Sequence, residues 1–443
     1  MKRTFIILCA MLGLSASAFA ADKEAIKDHL ENHFQLYGFI RNYFAFDTRE
    51  SKAGTADLFY WVPLDEDINA EGKDLNANMS FRFLSLTSRL GVNVKGYTIA
   101  GLEFGAKIEA DFYAGLSGST GTATFRMRQA YMTMTKNALG RNGRQSSVLK
   151  VGQAWHPIGA DMPDIYSLET GAPFGPFSRT PMVLNDYDFG NGMSLAAGMI
   201  WQMQYTSSGP DGSSADYMKY GLLPELYIGL SYKKGAFLGR VGYDFLSIKP
   251  VKTNDARMNA SMGFVYLQYK KNLFTAKAKS TFGQAGEHLG LMSGYLEYSE
   301  NGKTAYEALL SSSSWLSLSY GKKFVGSLFL GYNQNFGTPN ERTWKALYFN
   351  KNTGIGHTLK AEELAGKTVQ NKMFRIEPEF TYNLGKFTVG IEYMLTAAQY
   401  GSFIPGQGDD ISSVDLAGKK GLAMGKLHWV MNHRVQAMVK FNF

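Results

Sequence analysis

Residues 98 to 113 read TIAGLEFGAKIEADFY. Within them Leu102, Phe104, Ala106, Ile108, Ala110 and Phe112 alternate without an error with Gly101, Glu103, Gly105, Lys107, Glu109 and Asp111, the period-2 pattern of an extended strand. One face is wholly apolar and the other carries four charges. Read as one strand, the stretch is far longer than the roughly 5 to 6 residues usual in a soluble sandwich. The residues VQAMVKFNF (435–443) repeat the pattern, with Val435, Ala437, Val439, Phe441 and Phe443 on one side and Gln436, Met438, Lys440 and Asn442 on the other. Chain ends ordinarily fray into water. A strand that finishes on an aromatic side chain therefore sets that face against a permanently apolar medium.

Comparable segments are expected at 83–94, 125–136, 193–205, 221–232, 237–248, 257–269, 315–320, 324–335, 374–384 and 387–400. Many are joined by short turns, at Lys95-Gly96, Lys233-Lys234-Gly235, Lys270-Lys271-Asn272, Gly321-Lys322-Lys323 and Gly385-Lys386. Others are separated by long polar stretches at 47–80, 155–180, 285–310, 336–371 and 401–427. A lipid bilayer offers no hydrogen bonds to an open sheet edge, so spanning strands close into a barrel, with short turns at the periplasmic end and long loops outside. The expected fold is all-β, a transmembrane antiparallel up-and-down barrel over 34–443. With both termini on the short-turn side, seven turns and eight loops give 16 strands, and a further hairpin in 289–300 or 420–433 would make 18. Phe443, with Tyr37, Tyr43, Tyr113, Tyr131 and Tyr393 near strand ends, is expected in the aromatic belt at the membrane boundary.

The first twenty residues join a basic start (Lys2, Arg3), an apolar run from Phe5 to Leu14 and small residues Ala18 and Ala20. This is the pattern of a cleaved secretory signal, with the mature chain expected from Ala21. The single cysteine, Cys9, falls inside it, so the exported chain is held by packing and backbone pairing without disulfides. Residues 21–33 read as a short periplasmic helix. His29 and His33 at i, i+4 could hold a divalent metal, but HLENH lacks the HExxH order of a zinc protease and reads as a solvated surface. The net charge is +8, spread without a basic run longer than two residues, which speaks against nucleic acid and for anions as partners.

Residues 104–134, FGAKIEADFYAGLSGSTGTATFRMRQAYMTM, followed by SSVLKVGQAW (146–155), resemble the DcaP-like trimeric porins of Gram-negative outer membranes. The shared features are an acidic and aromatic strand end, a Gly-rich loop, an R-x-R-x-A-Y strand and a V-G-Q-x-W strand before the third loop. The resemblance implies a 16-stranded homotrimer in outer-membrane lipid that passes small, often anionic, solutes. Some similar proteins carry a long N-terminal coiled coil; here about a dozen residues precede the first strand.

In such a barrel function lies on the lumen face and in an inward loop. Alternation places Glu103, Lys107, Glu109 and Asp111 in the lumen with Arg89, Arg126, Arg128, Lys150, Arg240 and Arg375, and less clearly Arg41. These cations could form a basic ladder that draws anions into a constriction. Glu103, Glu109 and Asp111 are also candidate ion-pair partners for Arg126 and Arg128, which would make the pair structural. Loop 155–180, WHPIGADMPDIYSLETGAPFGPFSRT, is expected to fold inward, with Asp161 and Asp164 opposite the basic wall and Arg179 at its end. The sequence has no nucleotide, thiol-redox or hydrolase motif; no catalytic residue, cofactor or metal is expected. The reading is a water-filled diffusion channel for small hydrophilic, anionic solutes. A hydrolase built on the barrel wall, or an adhesin or assembly scaffold without a channel, fits the same pattern of strands.

Overall fold

The computed structural model describes residues 32–54, 59–85, 87–113, 124–165, 171–349, 358–360, 367–403 and 418–443. The expected signal peptide, His29 and nearly all of the expected helix lie outside them. Sixteen antiparallel strands form one closed sheet. They are β1 Phe34–Asp47, β2 in two pieces (Ser80–Leu84 and Arg89–Ile99), β3 Leu102–Tyr113, β4 Thr124–Leu139, β5 Gln145–Trp155, β6 Arg179–Asp188, β7 Met193–Ile200 and β8 Glu225–Lys234. There follow β9 Phe237–Ile248, β10 Met258–Lys271, β11 Phe274–Gln284, β12 Leu310–Gly321, β13 Phe324–Gly337, β14 Thr368–Leu384, β15 Phe387–Ser402 and β16 Gly425–Asn442. Each strand pairs with the next, and β1 pairs with β16 from Phe39↔Asn442 to Asp47↔Arg434, which closes the cylinder. Every strand edge is then satisfied within the sheet. Seven short turns gather at the end that holds both termini, and eight longer connections at the other.

The hairpin that would have made 18 strands exists, but outside the wall. Gly294–Glu300 and Lys303–Ala308 pair with each other, then with Trp344–Phe349 and Thr358–Lys360, in a separate four-stranded sheet. It covers a small core of its own, with Leu296, Leu309, Trp344, Leu347 and Phe349 buried. The stretch 420–433 supplies only the start of β16.

Alternation survives along most of the wall. In β16 Val435, Phe441 and Phe443 are exposed on the outer face while Arg434, Gln436 and Met438 are buried. Tyr232, Tyr269, Phe274, Tyr320, Phe324 and Phe387, all exposed, stand beside short turns and form an outer aromatic girdle.

Three expectations need correction. The turn assigned to Lys95-Gly96 is a bulge, where the register between β2 and β3 shifts between Val94 and Tyr97. The chain reverses at Ala100-Gly101, both left-handed (φ 51° and 73°), as a two-residue hairpin turn requires. Gly96 is also left-handed (φ 81°), so the glycine signal was real but marked a kink. Residues 98–113 are therefore a turn and a twelve-residue strand.

Three of the tyrosines expected in the belt point inward. Tyr37 donates its hydroxyl to Glu109 Oε2 at 2.9 Å. Tyr43 is fully buried, under the Arg41 guanidinium at 4.8 Å. Tyr131 lies beneath Lys150 Nζ, 5.3 Å from the ring. For Tyr131 the cause is a bulge: Glu109 faces Gln129 but Ala110 faces Met127, leaving Arg128 as an extra residue. Phe125 and Met127 point out before it, and Met132 after it; one inserted residue exchanges the faces. Tyr393 is on the outside, bonded to His433 Nδ1 at 2.6 Å, and the side chain of Tyr113 lies outside the described residues.

Two segments are shorter than alternation suggests. β7 ends at Ile200, not Tyr205, and β8 starts at Glu225 because Asp216–Gly221 is a helical turn. Loop 1, after β1, is tied at its base by Arg49 Nη1 to Asp74 Oδ2 at 2.7 Å. Partial burial raises the Asp74 carboxyl, but the Asp67 N–H, the Arg49 guanidinium and the Asn76 N–H outweigh it and hold the group below its usual value.

A closed, fully paired barrel resists detergent. Extracted unheated in mild detergent, the protein is expected to run on a denaturing gel at a position that shifts on boiling. Equal mobility in both lanes would contradict closure.

Candidate functional site

β1 to β5 build a wall whose inward face is rich in cations. Arg126 grips Asp111 with two bonds (Nε to Oδ1 2.9 Å, Nη2 to Oδ2 3.0 Å). Arg128, inward by alternation and beside the bulge, bonds Glu109 Oε1 at 2.9 Å and reaches Asp111 as well. Arg89 Nη1 and Lys107 Nζ approach Glu109 at 3.6 and 3.8 Å. Gln129 Nε2 also donates to Glu109, at 3.2 Å. Four cations thus share two carboxylates, and the local balance is positive.

The excess extends sideways. Arg41, Arg89 and Lys440 stand around the Phe39 ring at 5.0, 5.0 and 5.7 Å. Arg179, at the start of β6, is almost fully buried and shares the Trp155 ring with Arg128, at 5.0 and 6.0 Å. Its Nε bonds Gln204 Oε1 at 2.9 Å, and no carboxylate pairs with it among the described residues. Lys150 is half-buried over Tyr131 on β5. Glu103 sits apart near the short-turn end, exposed, and accepts from Asn137 Nδ2 at 2.9 Å.

The third loop, 156–178, meets the opposite wall. Asp161 pairs with Arg240 of β9 and lies 4.0 Å from Lys279 Nζ of β11, which also bonds Ile158 O. Asp164 pairs with Lys277 of β11 and takes its backbone N–H to Ser317 Oγ of β12 at 3.2 Å. β11 is half the barrel from β3 in strand order, so the two aspartates face Arg240, Lys277 and Lys279 rather than the Arg126 wall. Farther on, the Phe174 ring lies on Gly331 of β13, where a Cβ would come within 2.4 Å of it. A side chain there would push the loop off the wall.

Arg375 lies in the lumen, but as an anchor. Fully buried, it bonds Thr396 Oγ1 (2.9 Å) and Ala172 O of loop 3 (3.2 Å), and stacks between Phe174 and Tyr60 at 5.2 and 5.0 Å. Arg240 is likewise engaged by Asp161. Neither belongs to the ladder that joins Arg89, Arg126, Arg128 and Arg179.

Several residues escape the sequence reading. Loop 1 carries Tyr60 and Trp61 into the barrel, where Trp61, Phe174, Phe177, Trp315 and Phe329 are buried in one aromatic core. Lys277 and Lys279 were within reach of alternation, since Phe274, Ala276 and Ala278 share the other face of β11. The inward course of loop 1 had no such signal.

Among solved structures the chain is similar to the outer membrane channel DcaP of Acinetobacter baumannii, at 17% identity over 93% of this chain and 97% of that one, TM-score 0.62. It is also similar to an anion-selective porin from Comamonas acidovorans (11% identity, 93% and 99% coverage, TM-score 0.49). OmpF of Salmonella typhi gives 11% identity, 93% and 97% coverage and the same TM-score of 0.49. No protein-family model and no curated protein matches the sequence.

Proposed function

We propose that the protein is a porin of the Gram-negative outer membrane, exported by the signal at 1–20, and that it gives small hydrophilic anions a water-filled path past the wall of β1 to β5. The observation that carries this reading is the cation excess there: Arg89, Lys107, Arg126 and Arg128 against Glu109 and Asp111. Low-dielectric walls focus that charge into the lumen. Loop 3, held at the far wall by Asp161, Asp164 and Arg375, narrows the path from the other side. The likeness to a solved outer-membrane channel supports the reading, and the assembly we propose is a homotrimer.

Purified protein in a planar bilayer should open stepwise without added substrate, in groups of three for a trimer. In a potassium chloride gradient the reversal potential should take the sign of chloride preference. Absence of conductance removes the channel; a potassium preference removes the basic wall as its selectivity element.

A further inference from the structure

The rim of the barrel at the short-turn end is charged on one side. The four successive turns from β8 to β15 read SYKKGAFLG (231–239), QYKKNLFTA (268–276), LSYGKKFVG (318–326) and TYNLGKFTV (381–389). They carry seven lysines and no aspartate or glutamate. All seven lysines are exposed, and among the described residues none of them forms an ion pair. Lys323 Nζ stands over the Tyr382 ring at 5.3 Å. The charges of the long connections behave differently: Arg49 meets Asp74 at 2.7 Å, Lys249 meets Asp255 at 3.1 Å, and Arg342 pairs with Glu307.

Backbone hydrogen bonds tie each of these turns to the next. The Lys270 N–H donates to Ala236 O at 2.8 Å, the Gly321 N–H to Leu273 O at 3.1 Å, and the Asn383 N–H to Lys323 O at 2.8 Å. Neighbouring turns are two strands apart, about 10 Å. The rim thus holds like charges side by side, an arrangement that repels itself until anions lie among them.

The aromatic girdle sets the depth of these lysines. Leu226, Ile228, Leu230 and Tyr232 form the exposed outer row of β8, and Val265, Leu267 and Tyr269 that of β10. Lys234 and Lys271 are the next residues of those two rows, one period beyond the tyrosines. Lys322 and Lys323 stand between the exposed rings of Tyr320 and Phe324. Aromatic rings of a membrane girdle sit at headgroup level, so ammonium groups on four-carbon stems just past them reach the lipid phosphates.

We propose that this arc of turns binds anionic phospholipid headgroups, of the phosphatidylglycerol class, and gathers an anionic lipid shell around β8 to β15 in the leaflet at the short-turn end. The proposal rests on the barrel standing in a bilayer and holds whether or not the barrel conducts.

The test reconstitutes the unheated mature protein in phosphatidylcholine vesicles that contain a trace of spin-labelled phosphatidylglycerol or spin-labelled phosphatidylcholine. Electron paramagnetic resonance then compares how much of each label the protein immobilises. Phosphatidylglycerol should be retained over phosphatidylcholine about 3-fold, averaged over a shell of which only the arc carries the preference. The preference should vanish in about 1 M salt, where charges are screened beyond about 3 Å; this arm needs no variant to fold. The combined variant Lys233→Gln, Lys234→Gln, Lys270→Gln, Lys271→Gln, Lys322→Gln and Lys323→Gln should lose it as well, with the shift on boiling as the check of folding. Arg141→Gln with Arg144→Gln, in the turn between β4 and β5, should leave it in place. Equal retention of the two lipids by the wild type, or a preference that survives either the salt or the six replacements, overturns the proposal. So does equal retention joined to lysine-dependent sedimentation with purified peptidoglycan, which would assign the arc to the cell-wall polymer. Protein that does not enter the vesicles at all fails as a barrel, and the proposal falls with it.

Discussion

Replacing Arg126 and Arg128 together by Glu should invert the reversal potential in a salt gradient, from chloride to potassium preference. Across Arg89, Lys107, Arg126, Arg128, Glu109 and Asp111 the wild type has an excess of two positive charges, and the double variant an excess of two negative ones. In a narrow lumen such a change acts on every passing ion. The barrel should still assemble, because lumen positions tolerate polar substitution far better than lipid-facing ones, and the boiling shift checks that it does. The complementary variant, Glu109→Gln with Asp111→Asn, frees the same guanidiniums and should strengthen chloride preference. If both variants keep the wild-type reversal potential, Arg126 and Arg128 are wall structure and selectivity lies elsewhere, with Arg179 the next residue to replace.

Side-chain alternation carried most of the fold because a membrane barrel makes it obligatory: one face meets lipid and the other water along every strand. β3 and β16 could be read residue by residue for that reason. The pattern fails where one residue is inserted, and it gives no warning there. Nothing in FRMRQAY marks Arg128 as the extra residue, yet the bulge turns Tyr131 from lipid to lumen and brings Arg128 and Gln129 together onto Glu109. The Gly96 bulge misplaced a turn for a related reason, since a left-handed glycine serves a hairpin and a kink equally well.

The lumen itself was legible by face but not by partner. Arg240 and Arg375 do point inward, as alternation requires, but what they meet depends on where loops 1 and 3 run, and that is decided by tertiary packing. Tyr60 and Phe174 reach Arg375 from opposite ends of a separation of more than a hundred residues. No local pattern encodes that meeting. The same holds for Glu225, His156 and His288, which are unremarkable one by one in the sequence and meet only where two loops and a strand converge.

Replacing Arg434 by Ala should lower the temperature at which the unheated gel band is lost more than a single lumen substitution ordinarily would. The residue sits on the last strand at its junction with the first, where Asp47 and Arg434 are directly paired in register. Both are at most 1% exposed, and Arg434 grips the carboxylate with Nε to Oδ1 at 2.9 Å and Nη2 to Oδ2 at 3.0 Å. Asn432 Nδ2 adds a bond to Oδ1 at 2.7 Å, and Arg82 of β2 one to Oδ2 at 3.1 Å. Asp47 is therefore where the seam of the cylinder is fastened to β2. Removing one partner of a buried pair strands the other charge, at a cost of about 3–5 kcal/mol; Arg82 recovers part of this in Arg434→Ala, whereas Asp47→Ala leaves two guanidiniums facing each other and should be the more damaging change. Asp47→Asn, which keeps the shape and two acceptor lone pairs but not the charge, should fall between wild type and Asp47→Ala. An unchanged melting position in Asp47→Ala would mean that backbone pairing of β1 with β16 alone closes the barrel.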